Sequence, residues 1–235
     1  DPSETAAAAD FRRESHLDFS ALAFTSTAAE QREEVSLEID AQTASGYIAY
    51  ALSDICYVYS SPEQDIGSSV LSWSETKEPN LAGAWTTALR MQSRPGAGNA
   101  LLGSLANGAT PSVLASGAAV PYLLATIQSL VRDRVGVVFH ITARTFDGEG
   151  CARSDLSEVL VGRQTGAVFL SSSTAQEAHD ISLVAHAIAR ALRVPVIHIV
   201  NGDSSVSAKV AVRMATFSKL PEILESVAPP AELPA

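Results

Sequence analysis

The pattern of apolar and polar positions is clearest between Gly166 and Gly202. Ala167-Val168-Phe169-Leu170 is an apolar run too short for a helix, bounded by Gly166 and a serine cluster, and reads as a buried strand. A helix start follows: Thr174 with Glu177 fits the S/T-x-x-E capping box. Ile181, Val184, Ala185, Ile188 and Leu192 recur at helical spacing and predict one apolar stripe, with Arg190 and Arg193 near the helix end. After Pro195, Val196 to Val200 forms a second β-branched run that stops at Asn201-Gly202. Strand, helix and strand in this order form a βαβ unit, whose crossover requires parallel strands and runs right-handed.

Similar segments precede it. Alternation predicts a short strand from Val35 to Ile39, and Thr43 to Cys56 reads as helix. Tyr57 to Tyr59 reads as strand, Glu63 to Trp73 as helix, and Thr86 to Met91 as strand. Ser93-Arg94-Pro95-Gly96-Ala97-Gly98 then opens a helix reaching about Asn107. Val113 to Ala115 and Val135 to Ile141 read as strands, Val120 to Val131 and Ser154 to Val161 as helices, and Thr145 to Arg153 as a loop. Lys209 to Val227 is expected to be helical, interrupted near Pro221. The sum is an α/β fold: a three-layer, doubly wound domain with a mainly parallel sheet of about six strands. Its expected limits are 35–227, between an acidic, Ala-rich arm over 1–34 and a Pro-rich linker over 228–235.

Composition narrows the function classes. The 235 residues are 46% hydrophobic and 18% charged, as in a globular domain. A net charge of −10 without basic clusters argues against nucleic acid or an anionic membrane as partner. Two distant cysteines, Cys56 and Cys151, provide neither a disulfide framework nor a metal site. With no long apolar run and no signal-peptide pattern, a cytoplasmic location is expected.

Ligands of such folds sit at the carboxyl ends of the strands, which points to Ser60, Ser93, Ser116, Arg144, Ser171 and Asn201. Gly96, Gly98 and Gly103 follow a strand and open a helix, so they could cradle a phosphate or simply permit a tight turn and close packing. His179 and His186 lie two helical turns apart, about 10 Å along the axis, and cannot share one metal ion. Arg144 could meet a carboxylate in the cleft or form an interface ion pair.

Phe139-His140-Ile141-Thr142-Ala143-Arg144, Ser154-Asp155-Leu156, Gly162-Arg163-Gln164-Thr165-Gly166 and Leu170 to Asp180 resemble the pyrimidine-binding domain of thiamine-diphosphate-dependent pyruvate:ferredoxin oxidoreductases. The resemblance continues through Leu183-Val184-Ala185-His186 and Val194-Pro195, and covers about Val35 to Gly202. It implies that a glutamate after the third strand activates the cofactor's aminopyrimidine. Met91-Gln92-Ser93 matches the approach to that glutamate, whose own place Arg94 holds; a guanidinium cannot exchange the required proton. The resemblance also makes Arg144 the substrate-carboxylate arginine and leaves Ser60 in a degraded oxoacid-binding segment, with Ser93, Gly96, Gly98 and Asn201 lining the cleft. No residue is thereby assigned to catalysis or to a metal.

Arg94-Pro95-Gly96-Ala97-Gly98 further resembles the N-terminal region of fungal assimilatory NADPH-sulfite reductase flavoprotein subunits. That resemblance implies a non-catalytic scaffold or interaction domain that binds no cofactor, with FAD, FMN or NADP held elsewhere in the parent complex. The expected partners are its own downstream domains, a sister subunit or a second copy. The alternatives are a working pyrimidine domain of a 2-oxoacid:ferredoxin oxidoreductase and a small-carboxylate-binding domain that uses Arg144.

Overall fold

The structure, a computed structural model, describes residues 34–60, 66–146, 152–201 and 208–226. Its elements in chain order are β1 (Glu34–Ile39), α1 (Ala41–Ala51), β2 (Ile55–Tyr59), α2 (Ser68–Thr76), β3 (Thr87–Arg90), α3 (Asn99–Ala106) and β4 (Pro111–Ser116). They continue with α4 (Val120–Arg132), β5 (Val138–Phe146), β6 (Ala152–Ser154), α5 (Ser157–Leu160), β7 (Val168–Ser172), α6 (Ala175–Leu192), β8 (Val196–Asn201), β9 (Val210–Ala215) and α7 (Leu220–Ser226).

The main sheet has the order β3-β2-β4-β5-β8-β7, with all of those pairs parallel, and β6 forms an antiparallel hairpin with β5. A parallel sheet needs both faces covered, which explains the nearly unbroken apolar runs of its strands. Cys56, Val58 and Leu114 join the core shared with α1 and α2, while Tyr57, Tyr59, Val113 and Phe139 join the core on the other face. Leu123, Ile127 and Leu130 of α4 belong to that second core. Three layers around a parallel sheet were expected from the sequence, and this is what folds.

Several expectations need correction. Residues from 209 on do not begin as helix: Val210–Ala215 is a strand paired antiparallel with β1 in a separate two-stranded sheet. Its period of two was the available signal, since Val212 and Met214 are buried while Val210, Ala211 and Arg213 are exposed. The first helix stops at Ala51, because Ile55 and Cys56 belong to β2 and pair with both β3 and β4. The expected loop from Thr145 to Arg153 contains a hairpin, with β5 running on to Phe146. The helix expected from Glu63 starts at Ser68, and residues 61–65 lie outside the described set, as do residues 1–33 of the expected arm, Cys151, Gly202 and the linker; Glu34, placed in that arm, begins β1.

The capping box is present in α6: the Thr174 side chain accepts from Glu177 N, and the Glu177 carboxylate accepts from Ser173 N at 2.8 Å. Its apolar stripe, however, is drawn differently. Val184 and Leu192 are 39% and 44% exposed, whereas Ala178, Ser182, Ala185 and Ala189 are buried. Small residues allow α6 to lie close against the sheet. At Gly136 the approach is so tight that an added Cβ would overlap the Ala189 carbonyl oxygen.

Gly136→Ala is therefore expected to destabilise the domain by about 1–3 kcal/mol, the usual cost of overpacking. Gly103 of α3 faces open space, and Gly103→Ala should instead stabilise by about 0.5–1 kcal/mol through helix propensity. Urea denaturation of both variants checks the pair.

Candidate functional site

The chain runs from β2 to β3 on one side of the sheet and then returns to place β4 on the other side of β2. Such a reversal opens a crevice at the carboxyl ends of the two strands. A cavity of about 440 Å³ lies there, lined by Ser60 after β2, Gln92 and Ser93 after β3, Ser116 ending β4, Tyr122 of α4 and Glu158 of α5. Ser60, Ser93 and Ser116 were expected at this place; Glu158 and Tyr122 were not. Only the fold brings α5 against the turn at Gly117, where Glu158 Oε2 would come within 3.2 Å of an added Cβ.

The segment carrying Arg94 is a defined turn. Ala97 N donates to Arg94 O at 2.9 Å, with Pro95 at the second position and Gly96 at the third, at φ +82. These are the features of a type II turn, which requires the glycine and is preset by the proline. Tyr57 and Tyr59 of β2 pin its continuation by donating to Ala100 O and Ala97 O. Burial pushes the Tyr59 hydroxyl up to about 12, so it stays a donor across the ordinary pH range. At Gly98 an added Cβ would overlap Thr126 of α4. Turn geometry and close packing thus account for Gly96 and Gly98, and neither lines the cavity. Arg94 is exposed on the turn.

Ser60 stays in the cavity wall, whereas Arg144, Asn201 and Ser171 are not among its lining residues. Ser60 Oγ accepts a 2.8 Å hydrogen bond from Arg90 Nη1, a cation that sequence reading passed over. Arg144 is part-buried on β5 beside Asp40, the residue that caps α1. Burial lowers the guanidinium's pKa and the Asp40 carboxylate opposes the shift, so charge compensation is available within the domain. Asn201 ends β8 opposite Ala143, and its Oδ1 is buried without a hydrogen-bond partner among the described residues. Ser171 is exposed on β7, an edge strand.

Comparison with known proteins gives this geometry its context. Residues 49–232 match the family described as pyruvate flavodoxin/ferredoxin oxidoreductase, thiamine diP-bdg. The chain belongs to that family. Among curated relatives it is 31% identical over 166 residues to a putative pyruvate-flavodoxin oxidoreductase of Synechocystis sp., covering 70% of this chain and 14% of the relative. Pyruvate:ferredoxin oxidoreductase of Moorella thermoacetica is 31% identical over 169 residues, covering 70% of this chain and 14% of the relative. The chain thus spans about a seventh of these proteins. A solved 2-oxoglutarate:ferredoxin oxidoreductase from Magnetococcus marinus superposes with a TM-score of 0.57 at 12% identity, over 80% of this chain and 32% of that one. These comparisons support the oxidoreductase resemblance and give none to the sulfite reductase one. No helix among the described residues is long and apolar enough to cross a membrane.

Below the cleft, a second polar assembly crosses the layer between the sheet and α6. His140 of β5 and His198 of β8 are register partners, with their Nδ1 atoms 3.0 Å apart. His140 Nε2 is 3.3 Å from His186 Nε2 of α6, and His198 Nε2 is 3.0 Å from Ser172 Oγ. His186 meets His140 through the nitrogen opposite the one facing His198, so the three rings form a chain rather than a metal site. His179, two turns earlier on the same helix, is held separately, with Nε2 accepting from Ala215 N at 3.1 Å and Nδ1 paired with Asp180 at 2.8 Å.

Burial holds all three chain histidines neutral. It lowers His186 to about 4 and His198 to about 3, with the neighbouring His186 adding to the second shift, and it lowers His140 too, helped by both neighbours. Their folded pKa values lie below the unfolded value of about 6.5, so this contribution is full above that pH and is lost as pH falls. Unfolding free energy should drop below about pH 6.5 by up to about 1.4 kcal/mol per pH unit for each histidine. Urea midpoints between neutral pH and pH 4 should show this slope, and His198→Asn should flatten it.

Proposed function

We infer that this chain is the pyrimidine-domain-like part of a larger 2-oxoacid oxidoreductase-type protein, and that it serves assembly rather than cofactor activation. The observation that carries this reading is Arg94. The turn after β3 has type II geometry and presents an exposed guanidinium where the resemblance places a glutamate. A permanent cation with a pKa above about 12 supplies hydrogen-bond donors but no exchangeable proton near neutrality. The residues at this turn therefore do not fit the acid–base half of thiamine activation. Among the described residues Glu158 of α5 is the one carboxylate that lines the cavity.

An assembly role is supported by the rim. Tyr122, Leu156, Leu160 and Val161 are 45%, 41%, 39% and 37% exposed on α4, α5 and the adjoining segments. Apolar exposure beside an open crevice suits coverage by a sister domain, by another subunit or by a second copy. A finer placement, as the leading portion of a sulfite reductase flavoprotein whose FAD-, FMN- and NADP-binding parts lie elsewhere, rests on Arg94-Pro95-Gly96-Ala97-Gly98 alone. The parent sequence beyond Ala235 decides it: flavin and NADP modules support that placement, and a pyrophosphate-binding half with iron–sulfur cysteines removes it.

Calorimetric titration with thiamine diphosphate and Mg²⁺, on this chain and on its parent protein, tests the main reading. No measurable binding is expected in either. Because the turn's conformation depends on Pro95 and Gly96, Arg94→Glu should fold with unchanged stability and should strengthen binding in the parent. Micromolar binding by the unaltered protein that Glu158→Gln abolishes would instead make Glu158 the functional carboxylate and this chain a working pyrimidine domain.

A further inference from the structure

At the end of the sheet opposite the cleft, a cavity of about 570 Å³ opens where β4 and β5 begin, walled by Ser53, Asp54, Asn80, Pro111, His186 and Arg190. Arg190 is exposed on α6 and has no ion-pair or hydrogen-bond partner among the described residues. Asp54, on the same wall, accepts from Thr110 N through Oδ2 at 2.8 Å and makes no ion pair with Arg190. His186 lines the same cavity and uses Nε2 for His140, while its Nδ1 has no hydrogen-bond partner among the described residues. An imidazole with one unengaged nitrogen thus lies on the same wall as the Arg190 guanidinium.

Behind that nitrogen stands the histidine chain. Each neutral imidazole carries one N–H and one lone pair, so the proton position on one ring dictates that on the next. Ser172 Oγ donates to Ile199 O at 3.3 Å, which leaves its oxygen to accept from His198 Nε2. Donation then runs from His186 Nε2 to His140 Nε2, from His140 Nδ1 to His198 Nδ1, and from His198 to Ser172. In this direction His186 Nδ1 is a bare acceptor. The reverse direction keeps every ring–ring bond, puts the proton on His186 Nδ1, and makes Ser172 donate to His198 in place of Ile199 O.

We propose that this cavity is a binding site for a small carboxylate, held by Arg190 and His186 Nδ1, and that its binding reverses the proton direction of the His186–His140–His198–Ser172 chain. An anion beside Arg190 needs a donor from His186. One proton is taken from cavity water at Nδ1, each bridging proton passes to the next atom of the chain, and the original Ser172 hydroxyl proton is returned to water. Both states hold the same number of protons, and no buried ring ends charged. Only the long Ser172–Ile199 bond is given up. The effect is a ligand state at the base of the domain written into a hydroxyl at the carboxyl end of β7.

The test is nitrogen NMR of the full chain with ¹⁵N-labelled histidine, titrated at neutral pH with sodium acetate against sodium chloride at equal ionic strength. Acetate should produce a saturable change in which His186, His140 and His198 exchange tautomers together along one binding curve. Arg190→Gln should weaken that curve at least tenfold while leaving the acetate-free tautomers unchanged. A response no larger than that to chloride would remove the carboxylate site. Conversion of His186 to its doubly protonated form, with the other two rings unchanged, would remove the relay.

Discussion

The close seating of α6 on β5 and β8 is the constraint on which the rest of this domain depends. It is achieved by subtraction. Ala185 and Ala189 of α6 lie against Val138 and Val196, and Gly136 leaves room for the Ala189 carbonyl. A helix lined with leucine would stand farther from the sheet, because interaxial and helix–sheet spacing follow side-chain size. Only at this separation can His186 reach His140. The small residues therefore do two things at once: they pack the βαβ crossover, and they bring a helix imidazole into hydrogen-bonding range of two strand imidazoles. A buried polar chain of this kind is costly unless every member is paired, and here the register of β5 with β8 provides the pairing.

At the other end of the sheet the same architecture produces an open crevice. The strand-order reversal beside β2 brings three serines to one place, while α5 and the start of α4 add a carboxylate and a phenol. Two tyrosines on β2 hold the segment after β3, so the crevice wall is fixed by side chains rooted in the central sheet rather than by the loop alone. Arg90 bonded to Ser60 makes the β2–β3 side of the crevice cationic.

Much of this was legible in the sequence, and the failures have physical causes. The parallel core was readable because a strand buried on both faces must be apolar throughout, as in Val135 to Ile141. The last strand reads as helix from the sequence because its inward positions, Val212 and Met214, stand among charged and small residues that suit either period. In α6 the large residues mark one stripe, although the face seated on the sheet is built of alanine and serine. In the cleft, the serines at strand ends could be foreseen from topology alone. Glu158 could not, since no local signal says that a one-turn helix will fold over a distant crevice. The histidine chain was invisible for the same reason: His140 lies 46 and 58 residues from His186 and His198, and only strand register and the seating of α6 bring the three together.

The turn from Arg94 to Ala97 has a consequence for how such a domain can change over time. Its shape is set by a ring at the second position and a missing side chain at the third, and its first residue contributes only a carbonyl. The side chain at 94 is accordingly a free variable: the backbone would look alike whether it bore an acid, a base or nothing. Position 94 is where a lineage can exchange one chemistry for another in a single substitution, unseen by the folding machinery and unopposed by the core.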